Sequence, residues 1–192
     1  MSRIVVADAG PLIALARIGR IELLRLLYGG AVVPVAVMEE LQLDSRRPGA
    51  DTLRAARNAG WLEVMTAPTD ELALKQVLDP GEAEAILLAE NIACRFLLID
   101  ERRGRAIARN RGIPVVGTAG LLLNAKRKGR LTVVTPELER LSQNGYRLAP
   151  ALIEEIRRLA GEPGSMPSTP TSQVGRCSAG DAGRTRGDDL AR

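Results

Sequence analysis

Two apolar runs in the sequence end in an aspartate. Residues 4–7 (IVVA) lead directly into Asp8, and residues 96–99 (FLLI) lead directly into Asp100. If both runs are strands of one parallel sheet, their carboxyl ends share the edge where α/β proteins bind ligands, and the two side chains can meet there. Paired carboxylates repel unless a cation holds them, and hard cations such as Mg²⁺ and Mn²⁺ prefer oxygen ligands. The pattern therefore favours a carboxylate metal site.

Two glutamates lie in the segment LDPGEAEAILLAE, which predicts a helix that begins after Asp79. Glu82 has the spacing of a capping box with Asp79, so a purely structural interpretation competes with a functional one. Glu84 lies two residues further and points about 200° away around the helix axis. Only one of these two glutamates can face a site.

The other acids also have ordinary structural explanations. Asp8 and Asp100 could each cap the helix that follows its strand, because aspartate is a favoured N-cap residue. Glu39 and Glu40 are adjacent, face different directions and are typical surface residues by composition. Thr118, in VVGTAG, is predicted to be the N-cap of the helix that follows it.

The composition excludes several kinds of chemistry. The chain of 192 residues has no histidine, which rules out serine–histidine hydrolases, histidine-ligated zinc and histidine-dependent ribonucleases. Two cysteines cannot form a disulfide framework or a four-cysteine zinc site within one chain. One Trp, two Tyr and one Phe are too few for the aromatic platforms of RNA-recognition folds. If the chain binds nucleic acid, it must hold the backbone.

The basic residues are concentrated after Asp100 and near residue 128. The net charge is +4 and the pI is near 9.6, a mild bias toward anionic partners. The basic clusters could flank a phosphate path or simply form solvated helix faces. No run approaches the roughly 20 apolar residues of a membrane span, and the first residues lack a signal-peptide pattern, so we expect a cytoplasmic protein without membrane contact.

Short apolar runs alternate with segments of helical period, which predicts an α/β domain with a parallel sheet. Strands are predicted at residues 4–7, 31–33, 62–65, 96–99 and 115–116. Helices are predicted at residues 12–16, 21–28, 35–43, 50–59, 80–92, 102–111 and 119–128, followed by two that open at Thr135–Pro136, with Thr135 as N-cap, and at Ala149–Pro150. Residues 1–161 are predicted to fold as this domain. Residues 162–192, of which 15 are Gly, Pro, Ser or Thr, are predicted to be a disordered tail.

Residues 1–161 resemble the PIN-domain family of metal-dependent ribonucleases and, within that family, a VapC-like prokaryotic branch. The resemblance rests on five segments taken together and in order. The segments are VVADAGPLIALARIGRIELL, VVPVAVMEEL, LDPGEAEAILLAE, LLIDERRGRAIA and PVVGTAGLLLNAKRKG. The resemblance implies a three-layer α/β/α domain with a short, mostly parallel central sheet.

The resemblance also implies a site in which carboxylates bind Mg²⁺ or Mn²⁺ and carry out catalysis. The matching positions are Asp8, Glu40, Glu82 and Asp100, with Glu39 as the rival of Glu40 and Glu101 as a candidate for an outer contact. From the basic clusters we expect Arg102, Arg103 and Lys126 to contact the RNA backbone. One departure is that Ala9 and Gly10 stand where relatives often have Thr or Ser, which removes a hydroxyl that could support the site.

The implied function is metal-dependent hydrolysis of RNA by the toxin of a type II toxin–antitoxin system. Its implied partners are RNA, a small antitoxin protein and a second copy of the chain. The rival is a non-catalytic PIN-like module that binds nucleic acid or protein, which Ala9 and Gly10 support. Phosphoryl transfer to Asp8, as in haloacid dehalogenases, fits poorly because that pattern needs an acid at position 10, which is Gly10.

Overall fold

The computed structural model of the chain describes residues 4–68, 74 and 76–162. Five strands and nine helices lie within these residues. The strands are β1 (Val5–Ala7), β2 (Ala31–Val33), β3 (Leu62–Val64), β4 (Phe96–Leu98) and β5 (Val115–Val116). The helices are α1 (Ala9–Arg17), α2 (Glu22–Tyr28), α3 (Val35–Leu41), α4 (Ala50–Asn58), α5 (Pro80–Asn91), α6 (Arg102–Asn110), α7 (Thr118–Arg127), α8 (Thr135–Gln143) and α9 (Pro150–Ala160).

The five strands form one parallel sheet in the order β3-β2-β1-β4-β5, between two layers of helices. This confirms the predicted three-layer α/β/α fold. Strands β2 and β3 lie on one side of β1, and β4 and β5 lie on its other side. Between β1 and β4 the direction of strand order changes, and ligands bind at the carboxyl edge beside such a point in α/β sheets. Ala7 pairs with Leu98, so Asp8 and Asp100 follow neighbouring strands.

The apolar strands are buried because helices cover both faces of the sheet. All three residues of β1 are at most 1% exposed, and the residues of β4 are also buried. The predicted strands agree with the structure to within one residue at each end. Helix α1 begins at Ala9, directly after Asp8, rather than at residue 12. No helix among the described residues is long and apolar enough to cross a membrane.

The two predicted threonine N-caps are wrong. Thr118 and Thr135 are the first residues of α7 and α8, after Gly117 and Val134 at the cap positions. In both cases a carboxylate from another part of the chain accepts the hydrogen bond of the threonine amide, so the threonine hydroxyl is not needed there. The start of α9 agrees with the sequence, since Ala149 is its N-cap and Pro150 its first residue.

Glu162 connects the end of the described chain to α7 and α8, although it was predicted as the first residue of the tail; the rest of that predicted tail, residues 163–192, lies outside the described residues. Its Oε1 accepts hydrogen bonds from Lys126 Nζ and the Val134 amide, both at 2.6 Å, and its Oε2 accepts one from the Thr135 amide at 2.8 Å. Burial acts to raise the pKa of Glu162, but these hydrogen bonds outweigh it and hold the pKa at about 2. Glu162 is therefore charged and caps α8.

Glu162→Gln is expected to lower the free energy of unfolding by about 1–2 kcal/mol at pH 7, the range for loss of a helix cap. Urea unfolding followed by circular dichroism measures this. Glu155→Gln is the matched control, because the ion pair of Glu155 in the part of the chain that the structure describes is with exposed Arg158 on its own helix, and such pairs contribute little. Equal stabilities for the two variants would show that Glu162 does not cap α8.

Candidate active site

Asp8 lies at the centre of an acidic cluster. It follows β1 directly, occupies the N-cap position of α1 and is 7% exposed. Its pKa is raised to about 7, first by burial and then by the negative charges of Glu40 and Asp79, while the Ala9 and Gly10 amides act in the opposite direction. Asp8 makes none of the ion pairs found among the described residues, so none of those pairs gives its negative charge a cationic side chain as partner.

Glu82 belongs to the same cluster and also supports its helix. The predicted capping box is present, since Asp79 Oδ1 accepts a hydrogen bond from the Glu82 amide at 2.8 Å. The pKa of Glu82 is raised to about 7 by burial and by the charges of Asp79, Asp8 and Glu101, and the Asp79 amide partly opposes this. The structural and functional interpretations of Glu82 are therefore compatible.

The structure places Glu40, and not Glu39, beside the other acids. A Cβ on Gly81 would lie 3.0 Å from Glu40 Oε2 and 3.5 Å from Asp79 Oδ1, so both carboxylates lie against the start of α5. Burial and the charge of Asp79 raise the pKa of Glu40. Glu39 instead lines a separate surface depression with Gln42.

Glu84 lies outside the cluster, as the helix geometry predicts. Its Oε2 accepts a hydrogen bond from the Ala36 amide at 3.1 Å, at the first turn of α3. Glu82 and Glu84 thus have different roles. Glu82 faces the acids, and Glu84 connects α5 to α3.

Asp100 is held by three hydrogen bonds on the other side of the cluster. Its Oδ1 accepts from the Thr118 amide at 2.9 Å, and its Oδ2 accepts from Thr118 Oγ1 at 2.5 Å and from the Tyr146 hydroxyl. Burial and the charge of Asp100 raise the pKa of Tyr146, and Asp8 raises it slightly, so Tyr146 lies near both aspartates and remains a donor. A carboxylate has about four acceptor positions, so Asp100 is left with about one.

A glycine lies against each of the four predicted acids, in the first turn or at the cap of a helix. A Cβ on each of these glycines would lie within contact distance of a carboxylate oxygen: Gly10 to Asp8 at 3.7 Å, Gly81 to Glu40 at 3.0 Å, Gly104 to Glu82 at 3.4 Å and Gly117 to Asp100 at 2.7 Å. Helix starts with no side chain at these positions let the backbone approach the acids. The four carboxylates therefore pack against helix N-termini, which favour negative charge.

Three members of the site were not predicted as functional residues. Asp79 was identified only as a cap, although its charge acts on three other acids. Thr118 was predicted as a cap, but it fixes Asp100. Tyr146 had no signal in the sequence, because it follows α8 and lies 46 residues from the acid that it contacts.

The predicted backbone-contacting residues lie in two places. Arg102 and Arg103 are exposed at the start of α6, immediately after the acidic edge. Lys126 lies eight residues along α7 from Thr118, which is about 12 Å, and it pairs with Glu162. Arg105 lies closer, because a Cβ on Gly117 would be 3.4 Å from its Nη1 and 2.7 Å from Asp100 Oδ1.

The donor set suits a hard divalent cation. All the clustered groups are carboxylates, and the raised pKa values of Asp8 and Glu82 reflect a cost of ionising them that a bound cation would offset. Within the described part of the chain, no three acidic or cysteine side chains are arranged to hold one ion. Mg²⁺ commonly binds through one or two carboxylates and keeps several waters, which this arrangement can provide.

The fold and the acidic edge define an α/β domain with a site suited to metal-assisted phosphodiester chemistry. A family model described as a PIN domain matches residues 4–162. The chain belongs to the PIN-domain family, whose members are generally metal-dependent nucleases that bind nucleic acid, and it is therefore a nuclease-type module. A search of curated proteins gave no match.

Proposed function

We propose that this protein is a metal-dependent endoribonuclease that hydrolyses phosphodiester bonds in RNA. The observation that supports this most directly is the acidic cluster, in which two buried carboxylates have pKa values near 7 and no cationic partner among the described ion pairs. Such a cluster is costly to a fold unless it binds a cation. A chain without histidine needs another means of activating water, and a carboxylate-bound metal provides one.

In this proposal Asp8, Glu40, Glu82 and Asp100 form the Mg²⁺ or Mn²⁺ site, in which one or two of these carboxylates bind the ion directly and the others act through its waters. When bound, the cation supplies a water of lowered pKa and neutralises charge on the scissile phosphate. The other residues keep these carboxylates in place and position the RNA.

The supporting contacts divide between the two sides of the cluster. Asp79 caps α5 and fixes Glu82, whereas Thr118 and Tyr146 orient Asp100. Arg102 and Arg103, which are exposed at the start of α6, make the phosphate contacts in this proposal, and such contacts give no sequence preference by themselves. Lys126 would have to exchange Glu162 for a phosphate to join them.

The resemblance to VapC-like proteins supports a more specific proposal. On this basis the protein is the toxin of a type II toxin–antitoxin system. A small antitoxin protein binds and inhibits it, and it acts as a homodimer. Copurification of the chain with the product of an adjacent small gene, with loss of cleavage in the complex, tests this proposal.

The full chain, free of inhibitor, is expected to cut a mixed RNA pool with Mn²⁺ or Mg²⁺ and to stop when EDTA is added. A single-stranded DNA pool of the same sequences distinguishes RNA cleavage from general nuclease activity. If a folded preparation binds RNA in a salt-dependent manner but does not cut it with either metal, the chain is a binding module. The replacement of hydroxyl side chains by Ala9 and Gly10 would then be the first explanation to test.

Glu40→Gln is expected to lower the cleavage rate by about 10-fold to 100-fold or more, whereas Glu39→Gln leaves it within about twofold. The two changes are chemically identical and adjacent, but only Glu40 lies against Gly81 and Asp79. Initial rates at saturating Mn²⁺ measure the difference. A larger loss in Glu39→Gln would reverse the assignment.

A further inference from the structure

The four aromatic residues of the chain are distributed unevenly about the sheet. Phe96 begins β4, Trp61 directly precedes β3, and the Tyr28 ring packs edge-on against Phe96 with ring centroids 5.0 Å apart. These three residues lie at the amino edge of the sheet. Tyr146 is the fourth aromatic residue, and it lies at the carboxyl edge beside Asp100.

A cleft of about 190 Å³ opens between α1 and α8 next to the acidic cluster. Its walls are mainly apolar and include Ile13, Ala14, Leu141 and Tyr146, and Arg17 and Asn144 add polar groups. Arg17 is exposed on the last turn of α1, with its guanidinium 3.4 Å from the Asn144 carbonyl oxygen. The cleft is thus a small apolar space with hydrogen-bonding groups on its wall.

Two residues that line the cleft, Tyr146 and Gly10, each lie against one of the strand-end aspartates. Tyr146 forms one wall and donates its hydroxyl hydrogen bond to Asp100. Gly10 forms another wall, and a Cβ there would meet only Asp8 Oδ2, at 3.7 Å. A group seated in the cleft would therefore lie next to whatever the acidic cluster binds.

We infer that this cleft binds the base of a nucleotide adjacent to the scissile phosphate, with the Tyr146 ring as its stacking surface. The inference rests on the proposed function, since it is the acidic cluster that brings a phosphate to this edge. The scarcity of aromatic residues predicted contacts with the nucleic-acid backbone alone, but one aromatic ring is enough to stack one base. Bases also form hydrogen bonds with arginine and amide groups. Because its hydroxyl is held by Asp100, the Tyr146 ring is fixed before binding, which lowers the entropic cost of stacking.

The inference also gives a role to Gly10. A larger side chain at this position would extend from Gly10 into the junction between Asp8 and the cleft. With glycine, that junction stays open. Glycine at this position therefore leaves space for a base beside Asp8.

Binding of small probes to the Mg²⁺-saturated full chain tests the cleft without cleavage. The probes are the four nucleoside 5′-monophosphates and ribose 5-phosphate, which lacks a base, and their dissociation constants are measured by NMR titration. At least one nucleotide is expected to bind about 10-fold more tightly than ribose 5-phosphate. Equal binding of all five probes would overturn the inference.

Two variants of Tyr146 separate stacking from the support of Asp100. Tyr146→Phe keeps the ring and loses the hydroxyl, so it should retain the preference for nucleotides while its kcat for RNA falls. Tyr146→Leu removes the ring, so the preference itself should disappear. A preserved nucleotide preference in folded Tyr146→Leu would contradict the stacking role.

Photocrosslinking covers the case in which Tyr146→Leu does not fold. RNA containing 5-bromouridine is irradiated with the Asp8→Asn chain in Mg²⁺, and the crosslinked peptide is identified by mass spectrometry. Crosslinks to Tyr146 or to the helices around it are expected, and crosslinks confined to Tyr28, Trp61 or Phe96 would overturn the inference.

If the wild-type chain cuts no RNA but keeps the base preference, only the proposed catalysis fails. If it cuts RNA without base preference, only the cleft assignment fails.

Discussion

Asp8→Asn is expected to reduce RNA cleavage by more than about 100-fold, which exceeds the usual effect of residues that only support a metal ligand. Asp8 follows the central strand, is almost fully buried and lies amid the charges of Glu40, Asp79 and Glu82. The amide of asparagine keeps the shape of the side chain and removes the charge that would hold the cation. Initial rates with Mn²⁺ and Mg²⁺, together with circular dichroism, measure activity and folding separately.

Asp51→Asn provides the matched control for this experiment. Asp51 is an exposed aspartate at the start of α4, and its one ion pair within the described residues is with Arg54 on the same helix. The chemical change is identical, but it lies outside the acidic edge, so activity should stay within about twofold of the wild type. Full activity in Asp8→Asn would exclude Asp8 from the reaction, and an equal loss in both variants would indicate a general effect on the chain.

The metal-free protein is expected to become less stable as the pH rises from 5 to 8. The pKa values of Asp8 and Glu82 are about 7 in the folded chain, compared with ordinary values of 3.8 and 4.5. At pH values between the ordinary pKa values and about 7, the two carboxyl groups stay protonated in the folded state but are ionised in the unfolded state. The free energy of unfolding therefore falls as the pH rises through this range. The combined fall is expected to be about 3 kcal/mol, because the two acids interact and titrate as a pair.

Urea unfolding in EDTA at several pH values measures this fall. In the Asp8→Asn variant, the fall in the free energy of unfolding between pH 5 and 8 should be about half that of the wild type. The variant should also be more stable than the wild type at pH 8. Saturating Mg²⁺ should also reduce the fall, because the cation binds the deprotonated carboxylates and competes with protons. Stability in EDTA that is constant or rises between pH 5 and 8 would show that these acids do not carry buried, uncompensated charge.

Much of the fold was predictable because the chain marks its strands clearly. Four of the five predicted strands are short apolar runs, and the parallel sheet buries β1, β2 and β4 completely. The exception is the run at residues 62–65, which contains Glu63 and forms the partly exposed strand β3. Asp8 and Asp100 were identifiable because they end two of those runs. The two aspartates lie close together because β1 and β4 are neighbours in the sheet. No local sequence pattern predicts that these two strands are neighbours.

The contacts between distant segments were not predictable from local patterns. Glu40 and Asp79 meet only because α3 packs against the start of α5, and a local pattern could not distinguish Glu40 from its neighbour. Tyr146 reaches Asp100 across 46 residues. Thr118 was identified as a polar residue at a helix start, but its partner could be found only once the sheet had placed Asp100 beside it.

The contacts of Glu162 decide where a shortened gene for this protein should stop. A gene that ends with the codon for Gly161 omits the carboxylate that binds the Val134 and Thr135 amides, and leaves Lys126 without that partner. A gene that ends one codon later keeps all three contacts. Expression trials should therefore include Glu162 in the shortest product, even though composition alone suggests a cut before it.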